Sequence, residues 1–251
     1  MSRMAPPTGQ HATTSTVILR PADERFHSQL DWLDSWHSFS FGSHQDPNWM
    51  GFGPLRVIND DTIAAGRGFG MHPHRDMEII TVMIQGQLNH RDSMGNSGVI
   101  NAGDVQRMSA GTGIVHSEMN QGQKACRLLQ IWIEPSEKGL VPAYEQRTLR
   151  IESNTWTPLL AMNDPSAMAI ERPVRLWRAQ PSDGQNLPLP ALCAERGWIQ
   201  MIEGEIELPR PSAPSIRLSK GDGLGFKGTC SDLRTLRSLS DSSDVLLFAL
   251  K

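Results

Sequence analysis

The stretch EIITVMIQGQLNHRD, residues 78–92, reads as two short β-strands, 78–86 and 87–92, with Gly86 at their joint. Its pattern returns later in the chain. VMIQGQLN (82–89) resembles QMIEGEIE (200–207), so Gly86 matches Gly204. INAGDVQRM (100–108) resembles LSKGDGLGF (218–226), so Gly103 matches Gly221. Both glycine pairs lie 118 positions apart, and a shared offset without gaps points to two copies of one β unit. Working outward, further strands are expected at LRVIN (55–59), DVQRM (104–108), IVHSE (114–118), LLQIWIEP (128–135), WIQMIEG (198–204), EIEL (205–208), GLGF (223–226) and VLLFAL (245–250). The one short helical candidate is ADERFHSQLDWL (22–33). Regularly spaced short strands indicate an all-β sandwich or barrel with few short helices.

Composition bounds the function. The 251 residues are 38% hydrophobic and 20% charged, as in a soluble globular protein with room for two domains of roughly 125 residues. The net charge of −3 leaves no basic footprint, so no direct nucleic-acid binding is expected. The N-terminus lacks the apolar core of a secretory signal, and residues 1–15 read as a disordered tail. No run approaches the ~20 apolar residues that span a bilayer, so no membrane association is expected. Three cysteines, at 126, 193 and 230, without CxxC spacing, imply neither a disulfide framework nor a zinc site. A reducing cytoplasm is the expected setting, with Cys126 as a buried apolar residue. All eight histidines fall within the first 116 residues, so histidine chemistry belongs to the first half.

Two segments carry that chemistry. GRGFGMHPHRDME (66–78) places His72 and His74 two apart, and GDVQRMSAGTGIVHSEMN (103–120) does the same for His116 and Glu118. On a strand such pairs share a face, about 6.6 Å apart along the chain. If the two strands are neighbours, three imidazoles and one carboxylate surround one point. That donor set suits a divalent transition metal, and open positions beside it are typical of mononuclear Fe(II) oxygenases. GRGFG lacks the G-x-G-x-x-G spacing of a nucleotide loop. His37 reads as a packing or backbone-bonded residue, with the cavity mouth as the alternative, His90 as a solvated strand end, and the methionines and tryptophans as core filling.

The two segments resemble the two sequence motifs of the cupin superfamily, G(X)5HXH(X)3–4E(X)6G and G(X)5PXG(X)2H(X)3N. Gly66, His72, His74 and Glu78 fit the first, with Gly86 one position late. Gly103, Gly111, His116 and Asn120 fit the second, with Ser109 in place of the proline and two extra residues before His116. Within the cupins the chain resembles the pirin family through LDSWHSFSFG, DPNWMGFGPLRVINDD, HPHRDMEI, MSAGTGIVHSEMN, LQIWIEP and PAYEQR. The resemblance is strong over about residues 17–150 and weaker beyond.

The resemblance implies a bicupin of two tandem antiparallel β-barrels, of the double-stranded β-helix or jelly-roll type. Its expected division is a tail at 1–15, a metal-binding barrel at 16–150, a connection at 151–172 and a metal-free barrel at 173–251. It implies His72, His74, His116 and Glu118 as ligands of one divalent metal. Iron(II) is the first expectation, with Ni, Co, Mn, Cu or Zn as alternatives. Glu78, about 13 Å past His74 along an extended strand, is expected to be structural. The offset of 118 carries the four ligand positions to Pro190, Leu192, Arg234 and Leu236, none of which is a useful ligand. The implied activity is that of a quercetin 2,3-dioxygenase: a flavonol and O2 give carbon monoxide and a depside, with Glu118 as catalytic base. The alternative is a metal- or redox-dependent regulator acting through protein partners. A monomer is the family-consistent expectation.

Overall fold

The computed structural model describes residues 16–191, 196–227 and 232–251. The expected tail at 1–15, Leu192, Cys193 and Cys230 lie outside the described residues. The first half of the chain forms β1 (Thr16–Arg20), β2 (Phe26–Gln29), β3 (Leu33–His37), β4 (Leu55–Ile63), β5 (Gly68–His74), β6 (Glu78–Gln85), β7 (Gln87–Asp92), β8 (Ser97–Asn101), β9 (Asp104–Ser109), β10 (Ile114–Met119), β11 (Cys126–Ile133) and β12 (Ala143–Thr148). The second half forms β13 (Thr157–Ala161), β14 (Arg175–Ala179), β15 (Asn186–Pro188), β16 (Arg196–Glu203), β17 (Glu205–Leu208), β18 (Ile216–Ser219), β19 (Gly223–Lys227), β20 (Thr235–Ser238) and β21 (Asp244–Leu250). Among the described residues the helical elements are two three-residue 3-10 turns, Ala22–Glu24 and Pro47–Trp49. The helix candidate at 22–33 is therefore a 3-10 turn followed by β2 and the start of β3. Phe26↔His37 through Gln29↔Asp34 pair as an antiparallel hairpin, whose ladder a short isolated helix cannot match.

Each half contributes one large and one small antiparallel sheet. The first half has the order β12-β9-β6-β11-β4-β3-β2 with β5-β10-β7-β8. The second has β1-β19-β16-β21-β14-β13 with β15-β20-β17-β18. The sequence repeat is visible in this geometry. β6 and β16 coincide at the offset of 118, and so do the starts of β7 and β17. Gly86 and Gly204, which join these strands, have φ of +75° and +73°, a left-handed conformation that glycine adopts without a Cβ penalty.

Two boundaries differ from the sequence reading. Thr16–Arg20, assigned to the first unit, pairs with β19 of the second, from Thr16↔Lys227 to Arg20↔Gly223. The stretch 151–172, read as a connection, contains β13, which pairs with β14. Both are edge strands. An edge strand offers the same hydrogen-bonding groups to any free sheet edge, so its partner follows from proximity in the folded chain rather than from its own pattern.

The large sheets pack against each other through their outer faces. Ile80, Val82, Leu129 and Ile131 from the first half meet Trp198, Ile202, Leu246 and Phe248 from the second in one buried cluster. β strands with apolar residues on both faces, such as the fully buried β21, are the consequence. Inside the second half, Ile199, Ile206, Leu218, Leu236 and Leu247 fill the space between its two sheets.

At Gly204 an added Cβ would sit 2.7 Å from Ser243 Cα, in addition to the left-handed strain. Gly204→Ala is expected to lower stability by roughly 2 kcal/mol or more, seen as a lower urea midpoint at unchanged m-value.

Candidate metal centre and its cavity

β5 and β10 pair antiparallel with Ile114↔His74 and His116↔His72 in register. This brings the three imidazoles together. Their donor nitrogens lie within 4.8 Å of one another, and the ring centroids are 4.4–4.9 Å apart. Beyond His116 the register shifts, because Glu118 faces Phe69. One extra residue of β5 is accommodated near Gly70, as in a β-bulge. The Gly70 carbonyl accepts a hydrogen bond from His72 Nδ1 at 2.8 Å. A carbonyl can only accept, so Nδ1 carries the proton and the Nε2 lone pair is free for a metal.

The chemistry of the cluster fits a cation. His116 is 1% exposed, and neither ring nitrogen has a hydrogen-bond partner among the described residues. Burial, then His72 and His74, push its pKa down to about 2. Burial and His72 push His74 down to about 4. Both rings are thus neutral at physiological pH and offer lone pairs, as metal ligands must. An unsatisfied buried nitrogen costs roughly 1–3 kcal/mol. A divalent ion held by His72, His74 and His116 removes that cost.

Glu118 is placed differently. It lies on the strand of His116 and is fully buried, but its carboxylate is held beside the imidazole group rather than within it. Thr81 Oγ1 donates to Oε1 at 3.2 Å and Gln130 Nε2 donates to Oε2 at 2.9 Å. Burial raises its pKa, while the Gln130 hydrogen bond and the nearby His90 oppose the rise. Glu78 is remote from the cluster's chemistry: its Oε2 accepts from Ser109 Oγ at 2.6 Å, with Arg107 at 4.0 Å.

The cluster opens into a cavity of about 370 Å³. That size is ordinary for a small-molecule site. Its wall includes Ser35, His37, Asn59, Asp61, Phe41, Phe69, Ile79, Gln130 and Trp132. His37, for which packing or a backbone hydrogen bond is the first expectation and the cavity mouth the alternative, lines this wall: Nδ1 donates to Asn59 Oδ1 at 2.8 Å and Ser28 Oγ lies 2.9 Å from Nε2. His90, expected at a solvated strand end, is 2% exposed. Its Nε2 donates to Asp92 at 3.2 Å, and its ring packs 4.7 Å from Tyr144 and 5.4 Å from His116. The turn after it is short, but β8 and β9 cover the strand, so adjacency to a turn did not mean exposure. Trp132, read as core filling, stands edge-on to His74 at 5.0 Å and to Phe41 at 5.5 Å. Sequence reasoning also missed Gln130, Thr81 and Asp61. Gln130 had a signal, as the one polar residue in the apolar run LLQIWI.

A family model described as Pirin matches residues 20–133. The chain is 43% identical to the quercetin 2,3-dioxygenase of Escherichia coli K12 over 238 residues, 93% of this chain and 98% of that protein. It is 49% identical over 243 residues to a putative quercetin 2,3-dioxygenase of Mycobacterium tuberculosis, 94% of this chain and 96% of that one. It superposes with a TM-score of 0.84 on the crystal structure of the bacterial pirin YhhW from Escherichia coli in complex with nickel(II). That comparison covers 94% of this chain and 99% of that one, at 41% identity.

Two outcomes follow from this geometry. Thr81→Val removes a hydrogen bond to Glu118 at nearly constant volume, and is expected to weaken metal affinity by about 10-fold or more in metal titrations. Asp61 is fully buried, and burial raises its pKa from 3.8 to about 7 against the opposing Ser35 hydrogen bond. Between pH 3.8 and about 7 the folded chain keeps a proton that the unfolded chain has lost, so this residue's contribution to stability falls as pH rises through that window. Asp61→Asn keeps an oxygen for Ser35 and is expected to flatten that fall, raising Tm relative to the parent at pH 8.

Proposed function

The chain belongs to the pirin family, and from that premise we propose that it is a metal-dependent dioxygenase opening the heterocycle of flavonols such as quercetin. A flavonol and O2 are converted to a depside and carbon monoxide. The observation that carries the reading is the convergence of His72, His74 and His116 at the floor of a cavity with apolar and aromatic walls. The names of the Escherichia coli and Mycobacterium relatives support the substrate class.

In this reading each half closes as a cupin barrel, with the metal in the first and residues 151–172 leading into the second. His72, His74 and His116 hold the ion through imidazole nitrogens, with Glu118 as the fourth ligand or the nearest base. When bound, the ion supplies a Lewis acid and a template for joining O2 to an electron-rich flavonolate. Iron(II) is the proposed ion, because three imidazoles, a carboxylate and open positions suit it. Glu118 accepts the proton of the flavonol 3-hydroxyl at a carboxylate oxygen. Its raised pKa, which follows from burial, makes it a stronger base than an exposed glutamate. Thr81 and Gln130 orient that carboxylate. Phe41, Ile79 and Trp132 present the apolar wall that keeps bulk water from the ring.

The test is metal analysis of the freshly purified protein, then quercetin consumption followed by absorbance with Fe(II), Ni(II), Co(II), Mn(II), Cu(II) or Zn(II) restored. His116→Ala is expected to lose the bound metal and at least about 100-fold in turnover. No quercetin consumption with any of these ions, or full turnover by His116→Ala, sinks the proposal.

A further inference from the structure

Eight buried side-chain nitrogen or oxygen atoms lack a partner among the described residues, and four of them belong to residues that line the cavity. Two are the nitrogens of His116. The other two are Gln130 Oε1 and Trp132 Nε1. Gln130 and Trp132 are two apart on β11, so they share the face that looks into the cavity. Gln130 is 7% exposed, and its amide orientation is settled by its neighbour. Nε2 donates to the Glu118 carboxylate at 2.9 Å, which leaves Oε1 as a pure acceptor. An indole Nε1 is a pure donor. The strand therefore offers one acceptor and one donor, both without a partner among the described residues, beside the imidazole cluster.

We infer that Gln130 and Trp132 form a two-point clamp that reads a hydroxyl and a carbonyl carried by one flat aromatic ligand. Gln130 Oε1 accepts from the hydroxyl of the entering ligand while it still carries its proton, before that proton passes to Glu118, and Trp132 Nε1 donates to the carbonyl oxygen. The inference rests on the flavonol reading above and assigns the residues that select within that class. The walls agree with a flat ligand. Trp132 stands at 82° to Phe41 and 86° to His74, so these rings make a corner rather than a stack. A slab-shaped molecule entering beside Ile79 and Phe41 meets apolar surface on its faces and the clamp on its edge. A site that must satisfy buried polar atoms rejects analogues lacking the matching group more strongly than an apolar pocket rejects a missing methylene.

The test measures dissociation constants by calorimetry on Ni(II)-loaded protein without oxygen, so that turnover does not intrude. The probes are 3-hydroxyflavone, which has both groups, flavone, which has only the carbonyl, and catechin, which has hydroxyls and no carbonyl. Trp132→Phe keeps the ring and removes the N–H. It is expected to weaken 3-hydroxyflavone and flavone by about tenfold and to leave catechin unchanged. Gln130→Met is expected to weaken 3-hydroxyflavone and catechin and to leave flavone unchanged. It also removes a hydrogen bond to Glu118, so Thr81→Val serves as its control. The Gln130 variant must lose more affinity for 3-hydroxyflavone than the Thr81 variant does. Equal losses for all three probes, or none, in Trp132→Phe overturn the clamp while leaving the flavonol reading intact. Failure of the parent protein to bind any of the three overturns the flavonol reading, and the clamp falls with it.

Discussion

One row of side chains governs the interior of the first half. The antiparallel registers of five neighbouring strands align Gln106, Thr81, Gln130, Asn59 and His37 across the large sheet. All five are buried. Each such polar group costs roughly 1–3 kcal/mol if unpaired, so the row is tolerable only because it is cross-linked. Gln106 donates to His90 Nδ1 at 3.4 Å, Thr81 and Gln130 hold Glu118, and Asn59 holds His37. The row thus orients the carboxylate from one sheet while the opposite sheet supplies the imidazoles. A slip of one residue in any of these strands would turn its polar member to the apolar interface between the halves.

The second half shows the same backbone with the other choice of side chains. At the corresponding register positions stand Leu224, Ile199, Leu247 and Trp177, all buried. Its two sheets meet through an ordinary apolar core, which contains Leu236. The two copies of one unit therefore differ at the inward face of the large sheet. A polar interior suits a cation, and an apolar one contributes stability. Their shared glycines keep the same turn geometry in both copies, φ +91° at Gly103 and +87° at Gly221.

The halves are joined by more than apolar contact. β1 runs from the start of the described chain into the second half's sheet, and Ala22 N donates to Asp222 at 2.7 Å. Arg127 makes a bidentate contact with Asp60, at 2.7 and 2.9 Å, and reaches Glu203 and the Ile202 carbonyl across the interface. Arg127 is adjacent in sequence to Leu128, on the strand that carries Gln130 and Trp132. β11 is thus anchored on its outer side while its inner side faces the cavity. Rigid support of this kind is what a site needs when its donors must hold fixed positions.

The sequence by itself determined the all-β class, the repeat, the strands that carry His90 and His116, and the i, i+2 pairing of the candidate ligands. These are local properties: alternation, turn glycines and the i, i+2 spacing that puts His72 with His74 and His116 with Glu118 on one face each. QLNHRD and EIEL are strands with the bounds their patterns suggest. Tertiary structure alone decided how the faces meet. It set the pairing of His72 with His116, the contact of Glu118 with Thr81 and Gln130, and the burial of His90 beneath Tyr144. It also decided that β1 serves the second half. Each of these is a contact between strands distant in the chain, and strand pairing is chosen by the hydrogen bonds and apolar faces that proximity makes available. No residue spacing within one strand encodes that choice.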